Sequence, residues 1–164
     1  MTVIDSSTDP ATLTLTFVAE FAARPERVWQ VWADPRQLER WWGPPSWPAT
    51  FSRHEFVEGG ESRYHMTGPD GEKAPGWWRI VTIEEPRRLE FDDGFADADG
   101  EPVDRDEPIT VHVTLEQVGD RTRMTTVAHF RSTEQMEKMI KMGMQEGMRL
   151  AMGQIDAVLA DPAA

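Results

Sequence analysis

The longest helical pattern in the sequence is STEQMEKMIKMGMQEGMRLAMGQIDAVLA, residues 132–160. Ser132 and Gln135 have the spacing of a capping box, which predicts a helix start. Pro162 predicts the stop, because proline cannot continue the hydrogen-bond ladder. Apolar side chains recur at steps of three and four residues, which places them on one helix face. They are Ile140, Met144, Met148, Ala151, Ile155, Val158 and Leu159. The pattern predicts one amphipathic helix of about seven turns, which needs a large apolar partner surface.

Methionine and glycine set this helix apart. Methionine is flexible and adapts to irregular shapes, and Gly143 and Gly147 lie beside the apolar face. Each glycine inside a helix costs ~1 kcal/mol relative to alanine. Two interpretations stay open: a soft wall that leaves room for a guest molecule, or an ordinary core with methionine as filler. The pattern alone favours the ordinary core.

The segments upstream predict the partner surface. Period-two alternation predicts strands over 11–21, 49–57, 61–67, 76–84, 88–91, 109–118 and 121–130, and two short helices over 25–33 and 35–41. Short turns between the strands favour an antiparallel meander. The expected fold is α+β, with a curved antiparallel sheet of about seven strands around the long carboxy-terminal helix. We expect one domain over 11–160, a flexible tail over 1–10 and a short tail over 161–164.

Composition narrows the function classes. The chain has 164 residues, no cysteine and a net charge of −12, so we expect no disulfide framework and no affinity for nucleic acid. No apolar run approaches the ~20 residues that span a membrane, and no secretory signal is visible. A soluble, cytoplasmic protein without membrane insertion is expected. Much of the acidic excess lies in segment 92–107, which is predicted to be a solvated loop.

Four motifs, in order, resemble one known family. They are RPERVW at 24–29 with DP at 34–35 and LERWWGP at 38–44, GWW at 76–78 with PRRL at 86–89, GDRTRM at 119–124, and GM at 147–148 with Met152, Ile155 and Leu159. The family is the domain named after the activator of the ninety-kilodalton heat-shock chaperone's ATPase. It belongs to the START-like, or SRPBCC, superfamily with the birch-pollen-allergen fold. The resemblance covers about residues 11–160.

This resemblance implies a helix-grip fold: the sheet wraps the long helix and leaves a cavity between them. Superfamily members include carriers of sterols, lipids or polyketides, a few cyclases and other enzymes, and the namesake, which binds a chaperone. The closing motif usually has tryptophan after its glycine, and this chain has Met148 there. A softer side chain would reshape the inner end of the cavity.

The candidate site is therefore a cavity for a hydrophobic small molecule, lipid-like or aromatic. The sequence holds seven tryptophans, and large aromatic rings suit a mostly apolar pocket. The predicted ligand-binding residues are Val28, Trp32, Trp41, Trp42, Tyr64, Trp78, Val111, Met124, Thr126, Met144 and Met148.

No catalytic residue, metal site or cofactor is predicted. The four histidines show no helical ligand spacing, and surface positions are favoured for them. No nucleophile motif or phosphate-binding loop is present. A chaperone-regulating interaction module is the alternative function, with a polyketide cyclase-like or hydrolase-like enzyme as the second alternative. A chaperone and a second copy of the chain are the candidate protein partners.

Overall fold

The computed structural model describes residues 4–161, and its main feature is one eight-stranded antiparallel sheet. The strands are β1 (Ile4–Asp9), β2 (Thr14–Phe21), β3 (Ala49–His54), β4 (Glu61–Thr67), β5 (Lys73–Glu84), β6 (Arg88–Phe95), β7 (Ile109–Val118) and β8 (Arg121–His129). The helices are α1 (Pro25–Ala33), α2 (Pro35–Leu38), α3 (Thr133–Lys141), α4 (Met144–Met152) and α5 (Ile155–Leu159). The strand order is β1-β2-β8-β7-β6-β5-β4-β3. This confirms the predicted α+β helix-grip fold, with one more strand than expected.

Alternation along the strands determines which face of the sheet is buried. In β7 the side chains of Ile109, Val111, Val113 and Leu115 are buried, while those between them are more exposed. The same period of two holds in β2 and β8. One face of the sheet is therefore dry, as the sequence predicted, and the helices cover it.

The predicted amino-terminal tail needs a correction. Residues 4–9 form β1, which pairs with β2 in a register from Ile4 opposite Ala19 to Asp9 opposite Thr14. The strand lies at the sheet edge and is mostly exposed, so its side chains need not alternate between apolar and polar. For that reason the sequence pattern did not indicate a strand here. Tail residues 1–3 and 162–164, and with them the predicted stop at Pro162, lie outside the described residues.

The predicted single carboxy-terminal helix is instead three consecutive helices. Gly143 has φ +93 and separates α3 from α4. This left-handed conformation suits glycine, which has no Cβ to clash. A tight turn at Gly153 and Gln154 separates α4 from α5. No helix within residues 4–161 is long and apolar enough to cross a membrane.

Helix α1 packs against both the sheet and α5 in the core. Trp32 of α1 is fully buried there, and its ring centroid lies 4.7 Å from that of Trp41 and 5.9 Å from that of Phe91. Arg27 Nη2 donates to the carbonyl of Val158 at 2.9 Å, which ties α1 to α5.

His54 corrects the expectation of surface histidines, because it is part of this packing. Its Nε2 lies 3.0 Å from the carbonyl of Trp32, and its Nδ1 lies 2.7 Å from Ser62 Oγ. Burial lowers the pKa of His54, which favours a neutral ring that donates to the carbonyl and accepts from the serine hydroxyl.

Candidate functional site

A cavity of about 230 Å³ lies between the sheet and the junction of α3 with α4. Its walls come from β4, β6, the start of β7, the loop after α2, and the two helices. The lining residues are Trp42, Pro44, Tyr64, Met66, Asp93, Gly94, Phe95, Ile109, Met139, Met142, Gly143, Met144, Gly147 and Met148. Apolar side chains dominate this wall, as in binding sites for small hydrophobic molecules.

The break at Gly143 shapes the helical side of the cavity. Met139 comes from the last turn of α3, and Met144 and Met148 come from the first turns of α4. Gly147 has no side chain, and apart from its two chain neighbours and the backbone of its own helix no atom lies within 4 Å of the place a Cβ would occupy. The wall is therefore made of flexible thioethers around open space, and it can adapt to the shape of a guest.

One polar pair stands in this apolar wall. Tyr64 Oη donates a hydrogen bond to Asp93 Oδ1 at 2.9 Å. The two residues lie on β4 and β6, with β5 between them. Tyr64 lies against Gly76 of β5, where a Cβ would come within 2.4 Å of the tyrosine ring. Glycine at position 76 therefore lets the phenol reach across β5 to the carboxyl group.

Burial shifts the ionisation of both members of the pair. It raises the pKa of Asp93 to about 7, although the hydrogen bond from Tyr64 opposes the shift. It also raises the pKa of Tyr64 well above its ordinary value, and the neighbouring charge of Asp93 adds to the effect. At neutral pH the tyrosine is therefore protonated, while Asp93 populates both its charged and its neutral form.

Trp42 lies beside this polar pair. Its side chain is buried, and its ring lies edge-on to Tyr64 with centroids 6.1 Å apart. Its indole N–H has no hydrogen-bond partner among the described residues, and a buried unpaired donor is costly.

The predicted ligand-binding residues divide into two groups. Trp42, Tyr64, Met144 and Met148 line the cavity. The others lie in the hydrophobic core and do not line this cavity: Val28, Trp32, Trp41, Trp78, Val111, Met124 and Thr126.

Direct contacts explain why those core residues leave no space. Trp32 Nε1 lies 3.4 Å from Met124 Sδ, and Trp41 Nε1 donates to the carbonyl of Val31 at 2.8 Å. Helix α1 fills this end of the grip with indole rings. The open space lies at the other end, beyond α1.

Several lining residues were not among the predicted ones. They are Pro44, Met66, Asp93, Gly94, Phe95, Ile109, Met139, Met142, Gly143 and Gly147. Asp93 is the most consequential, because the sequence placed it in the solvated acidic segment. Alternation along the strand could have identified it. Leu89 and Phe91 are buried, and a strand that continues past Phe91 places Asp93 on the same face.

The remaining chemistry of the described residues is limited. No three His, Asp or Glu side chains within residues 4–161 converge in a way that would hold a metal ion. The acidic turn binds its own backbone, since Asp97 Oδ1 accepts from the N–H groups of Asp99 and Glu101. The Tyr64–Asp93 pair is therefore the chemically distinctive group of the cavity.

Comparison with known proteins gives a family and close structural relatives. The family described as "Activator of Hsp90 ATPase homolog 1-like protein" matches residues 22–160. No curated protein matches the chain.

Three solved structures are similar over nearly the whole chain. A protein from Arthrobacter aurescens is 58% identical with a TM-score of 0.91, over 97% of this chain and 92% of that one. A protein from Mycobacterium smegmatis is 46% identical with a TM-score of 0.88, over 96% of this chain and 97% of that one. A protein from Nitrosomonas europaea is 25% identical with a TM-score of 0.79, over 92% of this chain and 96% of that one.

Proposed function

The chain belongs to the family of Activator of Hsp90 ATPase homolog 1-like proteins, and we propose that it binds a hydrophobic small molecule in the cavity beside Gly143. The observation that carries the proposal is the cavity itself: about 230 Å³ of space walled by methionines, with one partly buried polar pair. Apolar walls supply affinity, and a few placed polar groups fix orientation.

The volume limits the size of the guest. Pockets for drug-sized ligands hold ~300–1,000 Å³, so this cavity of about 230 Å³ suits an alkyl chain or a small aromatic molecule. Met142 is 61% exposed, and the methionines around it can move to admit a larger body. The lipid-like or aromatic class expected from the sequence fits this space.

A homologous series of n-alkanols tests the proposal by isothermal titration calorimetry. Each buried methylene contributes ~0.8 kcal/mol, or about fourfold in affinity. Affinity is expected to rise by that factor per carbon and then level off when the chain fills the cavity. No saturable heat with any alkanol would overturn the proposal.

Met148→Trp tests whether this cavity is the binding site. It restores the tryptophan of the family pattern and fills space between α4 and the sheet, so we expect at least about a tenfold loss of affinity. Leu150→Trp is the matched control, because Leu150 lies on the same helix, is 41% exposed and does not line the cavity. Equal binding by both variants would place the guest elsewhere.

Regulation of a chaperone is the second candidate, favoured by the exposed apolar side chains within the acidic segment 92–107. Phe95 is 47% exposed and Val103 is 37% exposed, and Asp97, Asp99 and Glu101 lie between them. Such a surface fits a protein partner. Faster ATP hydrolysis by purified Hsp90 in the presence of this protein, lost in Phe95→Ser, would support it; an unchanged rate would remove it.

An enzymatic role would depend on the Tyr64–Asp93 pair, because Asp93 can gain or lose a proton near neutral pH. Turnover of a hydrophobic ester or polyketide-like substrate that is lost in Tyr64→Phe would support a cyclase-like or hydrolase-like function. Retained turnover in that variant would exclude the tyrosine hydroxyl from the chemistry.

A further inference from the structure

A second pocket, of about 260 Å³, adjoins the apolar cavity. It is lined by Asp93, Gly94, Phe95, Val103, Asp104, Glu107, Ile109, Ser132, Glu134, Gln135, Lys138 and Met139. The two spaces share Asp93, Gly94, Phe95, Ile109 and Met139 as a common wall. One end of the combined space is thus apolar, and the other is polar.

The polar end is acidic. Asp93, Asp104, Glu107 and Glu134 contribute carboxyl groups to its wall, and Lys138 is the only cationic side chain among the described residues that line either pocket. The nearby Arg131 is already engaged, because its guanidinium donates to the carbonyl of Pro108 and to Thr110 Oγ1. An anionic head group would meet repulsion here, whereas a cation would be attracted by these carboxylates.

The polar pair of the apolar cavity supports the same conclusion. The Tyr64 hydroxyl donates to Asp93 Oδ1, so this hydrogen bond ends on a carboxyl group that both spaces share. In its ionised form the carboxyl group has acceptor lone pairs left and no proton to donate. A ligand atom that binds it is therefore a donor.

We propose that the guest is a hydrophobic amine, whose apolar body fills the cavity between Met144 and Tyr64 and whose ammonium group lies at Asp93, facing the acidic pocket. This inference rests on the proposed function and specifies its ligand class. Burial of Asp93 favours its neutral form when no ligand is bound. An ammonium group beside it reverses that preference, since an opposite charge favours the ionised carboxylate.

The test compares three probes with the same alkyl chain: octylamine, octan-1-ol and octanoate. Titration at pH 8 keeps the amine protonated and Asp93 mostly ionised. Hydrogen bonds between charged groups contribute about 1.4 kcal/mol more than neutral ones, so octylamine is expected to bind at least about tenfold more tightly than octan-1-ol. Octanoate is expected to bind more weakly than the alcohol.

Asp93→Asn separates the charge from the shape of the site. The amide oxygen can still accept from Tyr64 but carries no charge, so the roughly tenfold preference for octylamine over octan-1-ol should be lost. Glu116→Gln is the matched control, because it makes the same change on an exposed position of β7 outside both pockets. It should leave the octylamine preference unchanged.

A second variant keeps the test valid if Asp93→Asn does not fold. Glu107 and Glu134 are exposed, so Glu107→Gln with Glu134→Gln leaves the core intact and should reduce the octylamine preference by about threefold.

The outcomes are distinct. Octylamine that binds no more tightly than octan-1-ol, or octanoate that binds best, overturns this inference and leaves the proposed function standing. An octylamine preference that survives in Asp93→Asn and in the double variant overturns it as well. Absence of binding by all three probes overturns both proposals.

Discussion

The two ends of the carboxy-terminal segment have similar apolar patterns but different surroundings. At α5 the side chains of Ile155 and Val158 are fully buried, and Gln154 Nε2 donates to the carbonyl of Gly43 at 2.7 Å. At the junction of α3 and α4, Met144 and Met148 line an open cavity instead. The helical pattern fixes which residues face inward, but the elements opposite them decide whether the space is filled.

Helix α1 accounts for the difference. It packs against β7, β8 and α5, so branched and aromatic side chains meet across a short distance at that end. The α3–α4 junction lies beyond α1, and its methionines face Tyr64, Asp93 and Ile109 of the sheet across open space. We call these regions the packed end and the open end of the grip.

The first prediction tests this distinction by truncating one side chain at each end. Trp32→Ala at the packed end should lower the free energy of unfolding by ~3–5 kcal/mol, because it leaves a void among fully buried rings. Met148→Ala at the open end should cost less than ~1 kcal/mol, because the space beside it is already empty. Urea unfolding followed by circular dichroism measures both values.

Trp32→Phe provides a milder variant if the alanine protein does not fold, and it should lie between wild type and Trp32→Ala. Equal losses in the free energy of unfolding for Trp32→Ala and Met148→Ala would show that the two ends are packed alike. That result would contradict an open cavity beside Met148.

The packed end followed from the sequence more fully than the open end. Alternation in 109–118 predicted the buried set of β7, and Pro25 predicted a short helix whose bounds, Pro25–Ala33, the structure reproduces. The period of the pattern and the turn residues are local signals, and the packed end is built from elements that carry both.

The open end depends on features that a local pattern does not carry. The sequence pattern places Gly143 inside a continuous helix, but its backbone is left-handed in the structure. Asp93 reads as part of an acidic loop because the strand signal fades after Phe91, although β6 runs on to Phe95. The cavity exists because α1 does not extend to the α3–α4 junction. That depends on how the helices and the sheet assemble and not on the sequence of any one segment.

A second prediction uses pH to distinguish the two ends, because Asp93, whose pKa is raised by burial, lies at the open one. The folded pKa of Asp93, about 7, lies above its ordinary 3.8, so the folded state holds the proton more tightly than the unfolded state. Stability should therefore fall as pH rises from about 4 to 7, and the full cost is present above 7. The shift sets a ceiling of ~4 kcal/mol, which the partial exposure of Asp93 to solvent reduces.

Asp93→Asn removes this cost while its amide oxygen can still accept from Tyr64. We expect it to stabilise the protein by ~1–3 kcal/mol at pH 8 and to have little effect at pH 4. Urea unfolding at both pH values, with Glu116→Gln as the control, measures the difference. A variant that matches wild type at pH 8 would mean that water reaches Asp93 freely.

The smallest expected effects come from two glycines of the open end, and their signs distinguish a broken helix from a continuous one. Gly143→Ala should destabilise the protein by ~1 kcal/mol, because φ +93 is unfavourable for a residue with a Cβ. Gly147→Ala should stabilise it by ~0.5–1 kcal/mol, because its position is regular helix and its Cβ would meet no neighbour. If α3 and α4 were one helix in solution, both positions would be helix interior and alanine would stabilise at both. Changes of opposite sign in the free energy of unfolding would therefore support a break between α3 and α4, which gives the cavity its helical wall. Changes of the same sign would contradict the break.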